Sequence, residues 1–145
     1  GHTNGHLAYL FDDSLFCGDT LFSAGCGRLL GGTYSQLLTS LKYICSLPLK
    51  TKIYCAHEYT VNNLRFSLVV EPDNHEVQQR LEYVEKLRTE SKITLPSTLE
   101  IELATNPFLR CQEPSVVSAA EQYISHGLVN ELAVFTVLRQ WKDNF

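Results

Sequence analysis

The 145-residue chain has no Cys-x-x-Cys pair, no long apolar run, no basic excess and no internal repeat or low-complexity tract. Each absence removes a class. Its five cysteines, Cys17, Cys26, Cys45, Cys55 and Cys111, are odd in number and widely spaced. That argues against a disulfide framework and against a cysteine zinc ribbon, and points to a reducing compartment. Beside apolar neighbours such as Phe16 and Tyr54, they read as small buried hydrophobes. No segment offers the ~18 consecutive apolar residues of a membrane span. With 12 Lys plus Arg against 16 Asp plus Glu, the net charge is −4. A general nucleic-acid binder is therefore not expected, although a local basic cluster can still hold a small anion. An apolar content of 44% argues against disorder.

What is present falls into two zones. Residues 1 to about 60 hold most of the glycines and several short apolar runs, whereas Gly127 is the only glycine beyond them. His6 to Phe11 and Leu15 to Cys17, joined by Asp12-Asp13-Ser14, read as a hairpin. Leu37, Leu38, Leu41, Ile44 and Cys45 recur at helical spacing until Pro48 stops them. Lys52 to Cys55 reads as a strand leading into Ala56-His57-Glu58-Tyr59. Beyond it, helices are expected from about Val61 to Val70 and over the stripe Val77, Leu81, Val84 and Leu87, the latter capped by Asp73 or Asn74. Ser97-Thr98-Leu99-Glu100 has capping-box spacing, and Asn106-Pro107-Phe108 reads as a turn. A helix from about Ser115 to His126 is expected to end at Gly127 in a left-handed cap. The last helix, from about Glu131 to Lys142, should turn Leu132, Phe135 and Leu138 inward. Strands followed by helices predict an α/β or α+β layer with an attached helical subdomain.

Three polar residues stand at strand ends or loop starts: His2, Asp19 within Gly18-Asp19-Thr20, and His57. Residues just past strand ends can converge on one sheet rim. Two imidazoles and a carboxylate form part of a zinc or iron site that leaves a position for water. Taken singly, each is more commonly structural. His6 should pack or hydrogen-bond at the opening of a strand, and His75 and His126 fall at helix ends. The glycine-rich stretch Gly25 to Gly32 lacks Gly-Lys-Ser/Thr and G-x-G-x-x-G, so it is no phosphate loop of those kinds. Its amides and Arg28 can hold a small carboxylate, and a plain connection is an equal reading. Arg139 and Lys142, spaced i, i+3, share a helix face.

Together these segments resemble glyoxalase II, the hydroxyacylglutathione hydrolases of the metallo-β-lactamase superfamily. The resemblance rests on Gly1-His2-Thr3-x-Gly5-His6, Phe16 to Phe22, Gly25-Cys26-Gly27-Arg28 and Cys55 to Thr60. It extends through Asn62 to Phe66, Leu95 to Leu99 with Glu102, Asn106 to Arg110, and Arg139-x-x-Lys142-Asp143. It is collinear over essentially the whole chain. It implies the second half of an αββα metallo-β-lactamase-like domain over residues 1–66 and an all-helical glutathione-binding subdomain over residues 67–145. The implied activity is thioester hydrolysis: S-D-lactoylglutathione and water give D-lactate and glutathione, with attack by a metal-bound hydroxide.

The implied cofactors are two divalent ions (zinc, iron or manganese), roughly 3.5–4 Å apart, that activate a shared water and stabilise the oxyanion. By position, His2 matches a ligand of the first ion, His57 a ligand of the second, and Asp19 the bridging carboxylate, hence the catalytic assignment. Glutathione contacts carry over to Arg28, Tyr59, Arg139 and Lys142. Leu30 stands where the family often has Tyr, which removes one hydrogen bond to glutathione. The superfamily's T-H-x-H-x-D-H motif is absent, and the chain opens at Gly1-His2-Thr3 without Met or signal peptide. A C-terminal portion of a longer protein is therefore expected, with metal held weakly, little or no activity alone, and a sheet face left uncovered. A monomer when complete, a cytoplasmic location unless a mitochondrial transit peptide precedes Gly1, and no nucleic-acid or membrane partner are also expected. A truncated, non-catalytic glutathione-binding or interaction module is the rival reading. A mononuclear-iron persulfide dioxygenase is disfavoured by the Arg28 loop and the Arg139/Lys142 helix.

Overall fold

The computed structural model describes all of residues 1–145. Asp12 and Asp13 join β1 (Tyr9–Phe11) to β2 (Ser14–Gly18), which pair antiparallel with Leu10 opposite Leu15. Asp12 sits at φ +53°, a left-handed conformation that a short polar side chain tolerates. The hairpin is shorter than the sequence suggests, because His6 lies outside β1 and points its ring at the Asp19 amide. From β2 the chain crosses through α1 (Tyr34–Cys45) to β5 (Lys52–Cys55), which lies parallel to β2 with Leu15 beside Ile53. Thr33 and Gln36 cap α1 reciprocally, and Leu37, Leu38, Leu41 and Ile44 form its buried stripe. Between β2 and α1, β3 (Leu21–Phe22) and β4 (Gly25–Cys26) form a small hairpin of their own.

The helical part comprises α2 (Thr60–Val70), α3 (His75–Thr89), α4 (Leu99–Thr105), a 3₁₀ turn (Pro107–Leu109), α5 (Pro114–Ile124) and α6 (Glu131–Asp143). Asn74 is the cap of α3, its side chain accepting from the Glu76 and Val77 amides. Three local expectations are corrected. Ser97 is not a helix cap: with Thr98 it forms β6, antiparallel to β5, which moves the cap of α4 to the Thr98 hydroxyl. The main sheet therefore runs β1-β2-β5-β6. Helix α5 stops at Ser125 (φ +62°), not Gly127, because the Glu121 carboxylate captures the Leu128 amide at 2.8 Å and folds the chain back early. In α6, Phe135 and Leu138 are buried, but Leu132 in its first turn is exposed.

One core cluster joins sheet residues such as Leu15 and Ile53 to Leu37 and Leu41 of α1 and to Phe66, Phe108, Phe135 and Leu138 of the helical part. It includes Phe66 and Val70 of α2, so the core continues across position 66. Phe66 stacks near Phe108, and Phe108 meets Phe135 edge-on at 5.9 Å. Each such fully buried side chain contributes ~1.5–3 kcal/mol through lost apolar surface. By contrast β1 is exposed along its length, so Tyr9, Leu10 and Phe11, with Phe16 of β2, leave apolar sheet surface open. No helix is long and apolar enough to cross a membrane.

Candidate functional site

Strands β2 and β5 are parallel neighbours, so the residues following them emerge at one rim of the sheet. That register brings Asp19 and His57 together, and the antiparallel pairing of β1 with β2 leaves the segment before β1, with His2, at the same rim. His57 Nε2 lies 3.3 Å from Asp19 Oδ1, and His2 Nε2 lies 3.7 Å from Asp19 Oδ2. His2 Nδ1 is 2.6 Å from the Arg28 carbonyl oxygen. A carbonyl only accepts, so Nδ1 carries a proton and Nε2 is the nitrogen that faces Asp19. The Asp19 amide donates to His6 Nε2 at 2.9 Å, which occupies that nitrogen and makes His6 a structural brace. Gly18 lies at φ +54°, and a Cβ there would meet His6 Nε2 at 2.5 Å, so only glycine fits.

Asp19 Oδ1 is buried with no hydrogen-bond partner. A carboxylate faced by two imidazole nitrogens is the donor chemistry that zinc, iron and manganese accept. Asp19 and the two imidazoles that face its oxygens would be the residues to hold such an ion. They do not surround any point with three or more His, Cys, Asp or Glu side chains.

The same cleft, about 610 Å³ in volume, is lined by His2, Asp19 and His57 together with Arg28, Tyr59, Arg139 and Lys142. Tyr59, at the start of α2, stacks on His57 at 5.0 Å and meets Phe22 edge-on at 5.4 Å. The Glu58 carboxylate between them accepts from the Thr94 amide and hydroxyl and from the Thr60 hydroxyl. Burial raises its pKa, but these bonds and Arg88 outweigh burial and hold it below the ordinary value. Arg28 is exposed, its Nε 3.4 Å from Asp143 Oδ1. Arg139 is only 4% exposed: Nη1 donates to the Cys26 carbonyl at 2.7 Å, Nη2 to Asp143 at 3.1 Å, and the guanidinium lies over Phe108. It therefore ties the Arg28 loop to α6. Lys142 lies between the Phe66 and Phe145 rings, with Nζ 5.3 and 4.8 Å from their centroids. Burial, then the Arg139 and Arg28 charges, bring its pKa down to about 8 against the pull of Asp143. Leu30 also lines the cleft and offers it no polar atom.

The helices carry a second cleft of about 650 Å³, but its charged groups Glu71 and Arg110 are already paired with each other. Cys17 and Cys26 are buried thiols pushed up to about 12 and about 11 by burial, which keeps them protonated and unreactive. His75 and His126 are exposed and lie away from the site. Reasoning from sequence did not single out Glu58 or Asp143. The i, i+4 spacing of Asp143 from Arg139 was a usable signal; nothing local marked Glu58.

Residues 58–145, more than half of the chain, match the family model described as hydroxyacylglutathione hydrolase C-terminus. Over its full length the chain is 53% identical to the hydroxyacylglutathione hydrolase of Shewanella baltica (strain OS155) and 54% identical to that of Aeromonas hydrophila. It is 48% identical to that of Nitrosomonas eutropha. The chain spans 56% of the Shewanella relative and 57% of the other two. This chain thus belongs to the hydroxyacylglutathione hydrolase family and corresponds to the C-terminal part of its members.

Proposed function

We propose that the cleft binds glutathione thioesters and that this chain supplies the substrate-binding side and part of the metal side of a hydrolase converting S-D-lactoylglutathione and water to D-lactate and glutathione. The observation that carries this reading is the placement of His2, Asp19 and His57 in the same cleft as Arg28, Tyr59 and Lys142. A volume of about 610 Å³ falls within the roughly 300–1,000 Å³ typical of small-molecule sites. Residues 1–66 then form the second half of a metallo-β-lactamase-like αββα domain, and residues 67–145 the glutathione-binding subdomain. Parallel β2 and β5, with their candidate ligands at one rim, support the first assignment.

His2, Asp19 and His57 would hold the metals, which supply Lewis acidity and acidify a water when bound. The Arg28 carbonyl orients His2, and the Tyr59 ring backs His57. Arg28 and Lys142 present cations to the carboxylates of glutathione, Tyr59 offers a phenolic donor, and Arg139 keeps the Arg28 loop in place. This chain offers each metal one imidazole and the shared carboxylate, below the three protein ligands of a catalytic zinc site. Alone it is therefore expected to hold metal weakly and to show no chelator-sensitive turnover with added zinc or iron.

Fusion to the preceding segment of the Shewanella baltica relative is expected to restore hydrolysis, and Asp19→Asn to abolish it. One observation favours a second reading, a non-catalytic glutathione-binding module: the cationic wall of the cleft is more complete than its metal side. A fused protein that folds and binds S-methylglutathione but leaves the thioester intact would decide for the module. No saturable binding of S-methylglutathione by either protein would overturn both.

The ligand's carboxylate is bound by the protonated form of Lys142, whose pKa is about 8, so affinity falls as pH rises through that value. Calorimetric titration with S-methylglutathione should weaken by about tenfold between pH 7 and pH 9, the change in protonated fraction across that window. Lys142→Arg, charged throughout, should flatten the profile. An equally steep profile in Lys142→Arg would remove Lys142 from the site.

A further inference from the structure

The segment from Asp19 to Arg28 carries a metal-ligand candidate at one end and an anion-binding candidate at the other, with the β3–β4 hairpin between them. That hairpin is held by side chains from far along the chain. Ala24, at φ +55°, donates its amide to Glu102 Oε2 at 2.8 Å. Asn106 Nδ2 donates to the Gly25 carbonyl at 3.0 Å and to Glu102 Oε2 at 3.0 Å, and lies 3.3 Å from the Phe22 carbonyl. Asn63 Nδ2 reaches the Ser23 carbonyl at 3.0 Å. A left-handed alanine is an unfavourable conformation that persists only where its surroundings fix it.

Glu102 is fully buried and belongs to none of the molecule's ion pairs. Its Oε1 and the nearby Ser97 hydroxyl are both buried without partners. An unpaired carboxylate in such a place is costly, whereas the neutral acid keeps Oε2 as acceptor and gains an O–H at Oε1 for its serine neighbour. Burial raises its pKa, against the pull of Ser97, the Ala24 amide, Asn106 and Ser23.

We propose that Glu102 is a positioning residue that fixes the turn between Phe22 and Gly25 and thereby sets the placement of Asp19 relative to Arg28. Its effect on ligand binding rests on the glutathione reading above; its effect on the turn does not.

The test uses this chain, amide hydrogen exchange resolved by NMR, and titration with S-methylglutathione. Glu102→Gln keeps a neutral acceptor for Ala24 and should leave exchange and affinity within about twofold of the parent. Glu102→Ala should speed exchange at Ala24 by roughly 30-fold while Leu15 and Ile53 in the sheet stay protected, and should weaken S-methylglutathione by about tenfold. If Glu102→Ala does not fold, Glu102→Asp, one methylene too short to reach Ala24, replaces it with the same expectation.

Ala24 remaining as protected as in the parent would overturn the proposal. So would equal loss of protection at Ala24, Leu15 and Ile53 in the folded variant, or a Glu102→Gln protein as impaired as Glu102→Ala. A parent chain that binds no S-methylglutathione overturns the glutathione reading, and the exchange data then decide the positioning role alone.

Discussion

A single methyl group at position 27 is expected to dismantle the cleft. A Cβ on Gly27 would stand 1.9 Å from the Asp19 carbonyl oxygen and 3.1 Å from His2 Nδ1. Neither neighbour can step aside at small cost. Asp19 closes β2 and receives His6 on its amide, and His2 is fixed through the Arg28 carbonyl, one residue beyond the substitution. The loop must therefore retreat, taking Arg28 and the His2 brace with it. A displacement of about 1 Å at a binding or catalytic constellation can cost on the order of 100-fold. Gly27→Ala should lose S-methylglutathione affinity by at least about tenfold, and the forced shift should lower unfolding free energy by ~1–3 kcal/mol. Gly5→Ala is the matched control: nothing lies within 4 Å of a Cβ there, so binding and stability should stay at parental values. Parental binding by Gly27→Ala, read by the same titration, would show that the packed loop does not set the site.

This sensitivity follows from how the loop is built. Between Thr20 and Cys26 its backbone groups are satisfied by side chains of α2, α4, the turn at Asn106 and α6, while its ends face the sheet rim. The helical part thus does two things with one surface. It presents Lys142 to the cleft and, through Arg139, holds the loop that carries Arg28, and it braces the hairpin that follows Asp19. Arg139 makes the distinction plain, because its guanidinium is committed to Cys26 and Asp143, so its influence on a ligand passes through the loop.

What could be read from the sequence is what local physics decides. The helical spacing of α1, the Val77 and Val84 positions of α3, the Phe135 and Leu138 face of α6 and the two-aspartate hairpin were legible because helix and turn preferences act over a few residues. His2, Asp19 and His57 were legible as strand-end residues; parallel pairing of β2 with β5 brings Asp19 and His57 together, and the antiparallel β1 delivers the segment carrying His2 to the same rim. Features set by distant partners were not. Ser97 reads as a capping residue until Ile53 claims its backbone, and Gly127 reads as the end of α5 until Glu121 captures Leu128. The i, i+3 pair Arg139 and Lys142 reads as two solvated cations, and only tertiary packing buries one and seats the other between aromatic rings. Glu102 and Asn106 carry no local mark of their task, since their partners in the hairpin lie 78 to 84 residues away.

The largest loss of stability is expected from Arg110→Ala. Glu71, at the C-terminus of α2, is 5% exposed and accepts from Arg110 Nε at 2.8 Å, Arg110 Nη2 at 3.0 Å and the Ser115 hydroxyl at 2.7 Å. This clamp joins α2, the turn that carries Asn106, and α5. Burial alone would raise the Glu71 pKa, but Arg110, Ser115 and Asn74 outweigh it and hold the carboxyl below its usual 4.5. Its stabilising contribution is accordingly present above that value and lost as pH falls through the lower folded-state pKa. Without the guanidinium the carboxylate is stranded in the interior, at a cost of ~3–5 kcal/mol. The sign of the Glu71 contribution then reverses: burial raises the pKa of the orphaned group, so acidification from neutrality toward pH 5 stabilises the variant relative to the parent. Glu71→Leu combined with Arg110→Met removes both charges and should recover much of the loss, because an apolar pair need not be desolvated. Chemical denaturation of the parent, Arg110→Ala and the Glu71→Leu/Arg110→Met protein at pH 7 and pH 5 reads both effects. A parental stability for Arg110→Ala at pH 7 would mean that solvent reaches Glu71 freely. Because Asn106 sits on the clamped turn, the folded fraction of Arg110→Ala should also show faster amide exchange at Ala24, linking this distant ion pair to the loop that carries Asp19.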